Sequence, residues 1–265
     1  MSSLVKCTTK KQVDTVIDFV APFRERCLYV YLDLIRYGVS NPAVESWIDS
    51  LKNPSTVAMR YHNGLHVFAL PGVELTGLRK LVATMRPALV LGESSVIAQI
   101  SGIDSYVESA NIGVVMKQQS ANVVTRNECM RATMEDIDEV AKLILSEDSL
   151  ASGYSKPELI EQMSERWTNG YGRSYIIRRD GAVVAHAGTG AESSGVATIV
   201  DVIVDAHHRR RGLAREVVSF LCNELVSEGL SPYLYCYEEG ARRLYLSLGF
   251  KAVCEWSRLV RVDKY

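Results

Sequence analysis

Apolar positions along the chain recur with two different periods, and their alternation sketches an α/β protein. In "PFRERCLYVYLDLIRYG" the residues Phe23, Cys27, Tyr31, Leu34 and Ile35 fall at helical spacing, and Gly38 marks a stop. "TVAMRYHNGLHVFAL" alternates about Asn63-Gly64, which predicts a two-residue hairpin. "ELTGLRKLVATM" predicts a further helix, and "PALVLG" and "SSVIAQI" predict short buried segments. Between Lys117 and Glu128 the composition turns polar, so the boundary between an N-terminal α/β domain, residues 1–120, and a second domain, residues 127–265, is placed there.

The second half is patterned more sharply. "CMRATMEDIDEVAKLIL" predicts a short strand and then a helix, with Thr133 and Asp136 as a capping box and Ile137, Val140 and Ile144 on its apolar face. "RSYIIRRDGAVVAHAGTG" predicts a hairpin turning at Asp180-Gly181. "GVATIVDVIV" is nearly continuous in β-branched residues, as expected of a central strand covered on both faces. A helix follows from Leu213 to Glu228, with Ala214, Val217, Val218, Leu221 and Leu225 inward and Gly229 at its stop. "PYLYCY" predicts a strand, "GARRLYLSLGF" a helix and "KAVCEWSRLVRV" a final strand.

Composition and charge narrow the function classes. A chain of 265 residues, 47% hydrophobic and 23% charged, reads as a globular protein with ample core. Thirty Lys+Arg against thirty-one Asp+Glu leave no broad basic face, which argues against nucleic acid as a partner. The six cysteines have no metal-like spacing and read as buried thiols, so no metal is expected. With no signal-like start and no apolar run of about 18 residues, no membrane is expected and the cytoplasm is the expected compartment.

Against that neutral balance, "VIVDAHHRRRGLAREVVSF" stacks two histidines and three arginines at one turn between strand and helix. The order strand, "RRRGLA", helix aims the free N–H groups of a first helical turn, and the positive end of its dipole, at whatever lies beyond the strand. Gly212 admits a ligand close to the backbone, Ala214 keeps the next turn slim, and Arg209 to Arg211 add charge that suits phosphate. No GxGxxG or GKS/GKT motif accompanies it, so dinucleotide and P-loop readings fit poorly.

The spacing Arg209-x-x-Gly212-x-Ala214, followed about thirty residues later by "ARRLYLSLGF" with Tyr245, Gly249 and Phe250, resembles the GNAT superfamily of acyl-CoA-dependent N-acetyltransferases. The resemblance runs from about Cys129 to the C-terminus. Ala206, Arg210 and Glu238 depart from the family's usual proline, glycine and asparagine. It implies a mixed central sheet flanked by helices, with an N-terminal domain that is a smaller α/β unit or a degenerate copy of the same fold, lacking the cofactor loop and helping to form the acceptor cleft.

The resemblance further implies a transferase that moves an acetyl group from acetyl-CoA to a primary amine acceptor by direct attack. The pyrophosphate is expected on Arg209, Arg210, Arg211, Gly212, Leu213, Ala214 and Arg215, and the pantetheine arm beside Val202, Ile203 and Val204. Tyr245 is the candidate general acid, weighed against simple packing in the core. Asp201 interrupts an apolar strand and is the candidate general base, weighed against a structural carboxylate. Glu192 reads as a solvated loop carboxylate, His186 as a hydrogen-bonded core histidine, and Cys236 as a structural thiol. A non-catalytic acyl-CoA-binding module is the alternative, and the protein is expected to be a monomer or homodimer.

Overall fold

The computed structural model describes residues 3–108, 112–119, 128–147, 150 and 155–262. They form two compact units: Met1–Val115 with Cys236–Glu238 and Ala252–Tyr265, and Met116–Tyr235 with Glu239–Lys251. The division is therefore not one cut in the chain. A cut between 120 and 127 would leave the last strand with the second unit, whereas Ala252 onward belongs to the first. Residues 120–127 of the polar stretch lie outside the described residues.

The first unit runs β1 (Val5–Lys6), α1 (Lys10–Val20), α2 (Leu28–Tyr37), β2 (Val44–Ile48), β3 (Thr56–Tyr61), β4 (Gly64–Ala69), α3 (Thr76–Met85), β5 (Leu89–Glu93), α4 (Ser94–Ile100) and β6 (Tyr106–Glu108). The periodicity that suggested a helix over 22–38 is interrupted. A 3-10 segment covers Ala21–Arg26, and Cys27 at φ −146°, ψ 47° breaks the axis before α2 begins. The helix α1 was not anticipated, although Thr9 and Gln12 form a capping box ahead of Val13, Val16 and Val20. The hairpin at Asn63-Gly64 forms one residue earlier, with Tyr61 opposite Gly64, so that His62-Asn63 make the turn.

Strands β1 to β4 are joined antiparallel in sequence, and β4 pairs parallel with β5. The chain's final strand, β13 (Phe250–Arg261), lies antiparallel to β5 from Trp256 to Val260 and antiparallel to β6 from Leu259 to Arg261. One face of this sheet is covered by α1 and α2, through Val13, Val16, Val20, Val30 and Leu34 on Ile48, Val57, Met59 and Phe68. The other is covered by α3 and α4, through Leu78, Val82, Ile97 and Ile100 on Ala58, Leu65, Val67 and Val90. Both faces are buried, so the alternation expected of Thr56 to Leu70 does not hold: the successive residues Val57, Ala58 and Met59, and Val67, Phe68 and Ala69, are all buried.

After β7 (Gly113–Gln118), the second unit runs β8 (Cys129–Arg131), α5 (Ile137–Leu145), α6 (Lys156–Thr168), β9 (Ser174–Arg179), β10 (Ala182–Ser193), β11 (Val196–Val204), α7 (Leu213–Ser227), β12 (Ser231–Cys236) and α8 (Glu239–Ser247). The Thr133–Asp136 capping box forms as expected, heading a 3-10 turn into α5. Asp180 and Gly181 both take positive φ, 51° and 83°, between the paired ends Arg179 and Ala182, the geometry their dipeptide favours.

Strands β8 to β11 pair antiparallel in sequence, and β11 pairs parallel with β12. Among the described residues, the strands and the α-helices given above thus follow one order in the two units, β-α-α-β-β-β-α-β-α, with one set of ladder senses. The first is a copy of the second in architecture, although no repeat is visible in the sequence.

Candidate active site

The site grows out of one strand and the helix that follows it. Strand β11 pairs with β12 only from Val196 opposite Ser231 to Ile199 opposite Leu234. Beyond Ile199 its remaining ladder is with β10. Val196 to Ile199 are buried, as a strand covered on both faces requires, but Val200, Asp201, Val202 and Val204 are only half-buried. The expectation of a strand covered throughout therefore holds for its first half alone. Where the neighbouring strand parts, an edge of main chain is left that an extended ligand could pair with.

A bulge lies in that edge. His186 faces Ile203 and Gly188 faces Val200, so Ala187 stands opposite both Asp201 and Val202. Asp201 takes φ 54°, a conformation a β-branched residue resists and an aspartate tolerates. Its main-chain oxygen lies 2.7 Å from Nδ1 of His186, whose Nε2 lies 2.8 Å from Oγ of Ser174. A carbonyl can only accept, so Nδ1 carries the hydrogen and Nε2 accepts from the serine hydroxyl. His186 is 1% exposed, and burial pushes its pKa down despite the opposing influence of Asp201.

The strand leads directly into the basic loop. Asp205 accepts from the His207 N–H at 3.0 Å and lies 2.9 Å from Nδ1 of His208. The hydrogen bond with His208 holds the Asp205 carboxyl below its ordinary range. Arg210 and Gly212 take positive φ of 61° and 84° on either side of Arg211. Alternating left-handed residues turn successive N–H groups toward one side and form a concavity suited to anions. Gly212 is the N-cap of α7 and offers no side-chain cap, so the first-turn N–H groups remain available to a ligand. A Cβ at Gly212 would meet no atom within 4 Å, which leaves open space over the cradle.

The arginines divide their tasks. Arg209 donates to the Val204 carbonyl at 3.1 Å and pairs with Glu147 at 2.7 Å, fastening the loop at the strand end. Arg211 donates to the His207 carbonyl at 3.2 Å. Arg215 reaches Ser247 Oγ at 2.6 Å and so ties α7 to α8. Arg210 is exposed. Three of the four arginines are thus engaged with the protein itself, and the first-turn N–H groups of α7 carry no side-chain cap. Leu213 is buried and Ala214 half-buried at the start of α7.

Tyr245 is 7% exposed on α8, and its ring lies 5.7 Å from that of Phe250 at 60°. That packing fixes the ring against the end of the helix. Glu192 is not a solvated loop carboxylate. Its side chain is 7% exposed, pairs with Arg173 at 2.5 Å and accepts from Thr189 Oγ1 at 2.5 Å, while Arg173 also grips Glu228. The Cys236 thiol is buried and donates to the Glu238 carbonyl. Among the described residues no group of three or more His, Cys, Asp or Glu could hold a metal ion, and no helix is long and apolar enough to cross a membrane. Sequence reasoning missed the bulge, its histidine support and the Arg209–Glu147 anchor. The only local sign was an aspartate interrupting a β-branched run.

Residues 138–250 match the sequence model of the acetyltransferase (GNAT) family. No curated protein matches the chain. Three solved structures are similar over nearly the whole length. A Drosophila protein is 14% identical, with a TM-score of 0.69 over 99% of each chain. A GNAT-family acetyltransferase from Colwellia psychrerythraea is 12% identical, with a TM-score of 0.63 over 98% of this chain and 100% of that one. A tandem GNAT protein from the clavulanic acid biosynthesis pathway is 12% identical, with a TM-score of 0.62 over 99% of this chain and 100% of that one. Identities this low speak to the fold alone.

Proposed function

Because residues 138–250 match the sequence model of the GNAT acetyltransferase family, we propose that the protein is an N-acetyltransferase that moves an acetyl group from acetyl-CoA to a primary amine. One observation carries the reading. A cradle of main-chain N–H groups, bent by Arg210 and Gly212 at the head of α7, follows directly on a strand whose neighbour has parted from it. A pyrophosphate suits the first and an extended pantetheine arm the second. The open space over Gly212 and the half-buried Val200, Val202 and Val204 fit a donor of that shape.

In this reading Arg209 to Arg215 hold the pyrophosphate, and Val202, Ile203 and Val204 align the donor. The amine lone pair attacks the thioester carbon directly, and a β11 N–H near Val204 stabilises the resulting oxyanion. Asp201, as general base, takes the proton the amine must lose. Collapse of the adduct breaks the carbon–sulfur bond. Tyr245 then gives its proton to the departing thiolate, a transfer between groups whose ordinary pKa values lie within about 2 units. In the first unit the connection from β4 to α3, residues 70–75, carries no arginine and no counterpart of the Arg209-x-x-Gly212-x-Ala214 spacing, so the donor is assigned to the second unit.

Thermal melting with acetyl-CoA tests the binding half of the proposal. A ligand at a hundred times its Kd stabilises the native state by about 2.7 kcal/mol, so Tm should rise with donor concentration. Thiol release with a panel of amines tests turnover. No shift at millimolar donor overturns the reading. Stabilisation without thiol release from any amine would point to a non-catalytic acyl-CoA-binding module.

A further inference from the structure

We propose that the buried pair His186–Ser174 is a positioning device that holds the bulge at Asp201 and so sets the course of the β11 main chain from Val200 to Val204. Its consequence for donor binding rests on the acetyltransferase reading above, whereas the clamp itself rests on geometry within the second unit.

A bulge leaves main-chain groups that the ladder cannot satisfy, and each needs another partner. Here the Asp201 carbonyl finds the His186 ring at 2.7 Å, and that ring is held in turn by Ser174 at 2.8 Å. The three residues sit on adjacent strands β9, β10 and β11, so one relay of hydrogen bonds crosses the sheet at the point where its regular pairing fails. Ser174 is 4% exposed and His186 1%, so water does not compete for either bond. The relay has one consistent polarity. The serine hydroxyl donates to Nε2, and Nδ1–H donates to the carbonyl.

The space for this pair is reserved by a third residue. A Cβ at Gly188 would lie 2.8 Å from Ser174 Oγ and 3.2 Å from a carbon of the His186 ring. Any larger residue there would push the relay apart. Ordinary core packing would need neither a glycine beside the ring nor a bond ending on the one residue with left-handed geometry in the strand. Asp201 keeps that conformation because the surrounding sheet holds it, and the main-chain edge beyond Ile199 inherits its direction from that turn.

The test compares His186→Leu, His186→Asn and Ser174→Ala with the wild type. Amide hydrogen exchange over 196–204 reads the bulge directly, and calorimetry with acetyl-CoA reads the main-chain edge beyond Ile199. In His186→Leu, exchange at 200–204 is expected to speed about tenfold with 174–179 unchanged, and donor Kd to weaken about tenfold, the effect of one lost hydrogen bond. Ser174→Ala should move both in the same direction by a few-fold. Asparagine places an amide N–H near the Nδ1 position, so His186→Asn should restore exchange and Kd even though it loses ring packing and melting temperature.

Equal losses of Tm in all three variants, with exchange at 200–204 and donor Kd at wild-type values, would overturn the proposal. If His186→Leu does not fold, Ser174→Ala against wild type decides. A wild type that binds no acetyl-CoA, with variants that still loosen 200–204, would defeat the donor reading and leave the clamp standing.

Discussion

Asp201 carries two demands that ordinary substitutions can separate. Its backbone must adopt φ 54°, and its carboxylate is the proposed base. Asparagine tolerates the left-handed region and cannot take a proton, so Asp201→Asn should leave donor Kd near wild type while kcat falls by about 10²–10⁴. Valine resists that conformation, so Asp201→Val should weaken donor binding as well. A wild-type kcat in Asp201→Asn, with chemistry rate-limiting, would remove the carboxylate from the mechanism. Tyr245→Phe keeps the ring against Phe250 and removes only the hydroxyl. Turnover should fall by a similar factor with KM and Tm nearly unchanged, while normal turnover would make Tyr245 a packing residue alone. His66 of the first unit predicts a pH effect of a different origin. Burial pushes its pKa down to about 4 from an ordinary 6.5, and its Nδ1 is buried with no hydrogen-bond partner among the described residues. Between those values the unfolded chain binds more protons than the folded one. Stability should therefore be full above pH 6.5 and fall by up to ~3 kcal/mol as pH drops to 4. Melting curves of His66→Leu across that window should have a shallower slope than the wild type.

The loop and the first turn of α7 act as one element, and Gly212 is where its shape is set. At φ 84° any side chain is strained by about 1–3 kcal/mol, although a Cβ has room. Gly212→Ala should therefore lower Tm slightly and weaken donor binding a few-fold. Gly212→Glu adds a carboxylate over the N–H cradle and should abolish measurable binding with circular dichroism unchanged. Equal affinities in the two variants would show that strain, not charge, is what the cradle senses. Arg209 contributes differently, because its bond to Val204 and its pair with Glu147 fasten the loop to the strand end.

Over the full chain, the arrangement of β13 governs what can be cut away. Trp256 and Leu259, 2% and 1% exposed, are buried in the first unit, where β13 lies between β5 and β6. A fragment of 127–265 made alone would carry this apolar strand without its partners, and is expected to aggregate. A nick within 120–127 of the intact protein should leave two fragments that co-elute on gel filtration, since the first unit keeps its strand from the C-terminal piece. Separation of the two fragments into soluble, donor-binding and non-binding species would contradict this.

The helix after the basic loop, the turn at Asp180-Gly181, the capping box at Thr133 and the course of the strand into the arginine-rich turn were all legible, because each depends on residues within a few positions of one another. Periodicity failed at Phe23, where a helical spacing of apolar residues spans a 3-10 turn and a break at Cys27. It also failed to separate the faces of strands buried on both sides. The repeat of the fold in the first unit left no motif, since burial constrains only hydrophobicity and size, which many sequences satisfy. The relay from Ser174 through His186 to Asp201 joins positions 12 and 15 residues apart, and the pairing of β13 with β5 joins Trp256–Val260 to Leu89–Glu93. Such contacts exist only once strands have been assigned neighbours and register, and those are fixed by the sum of distant packing interactions rather than by any local stretch.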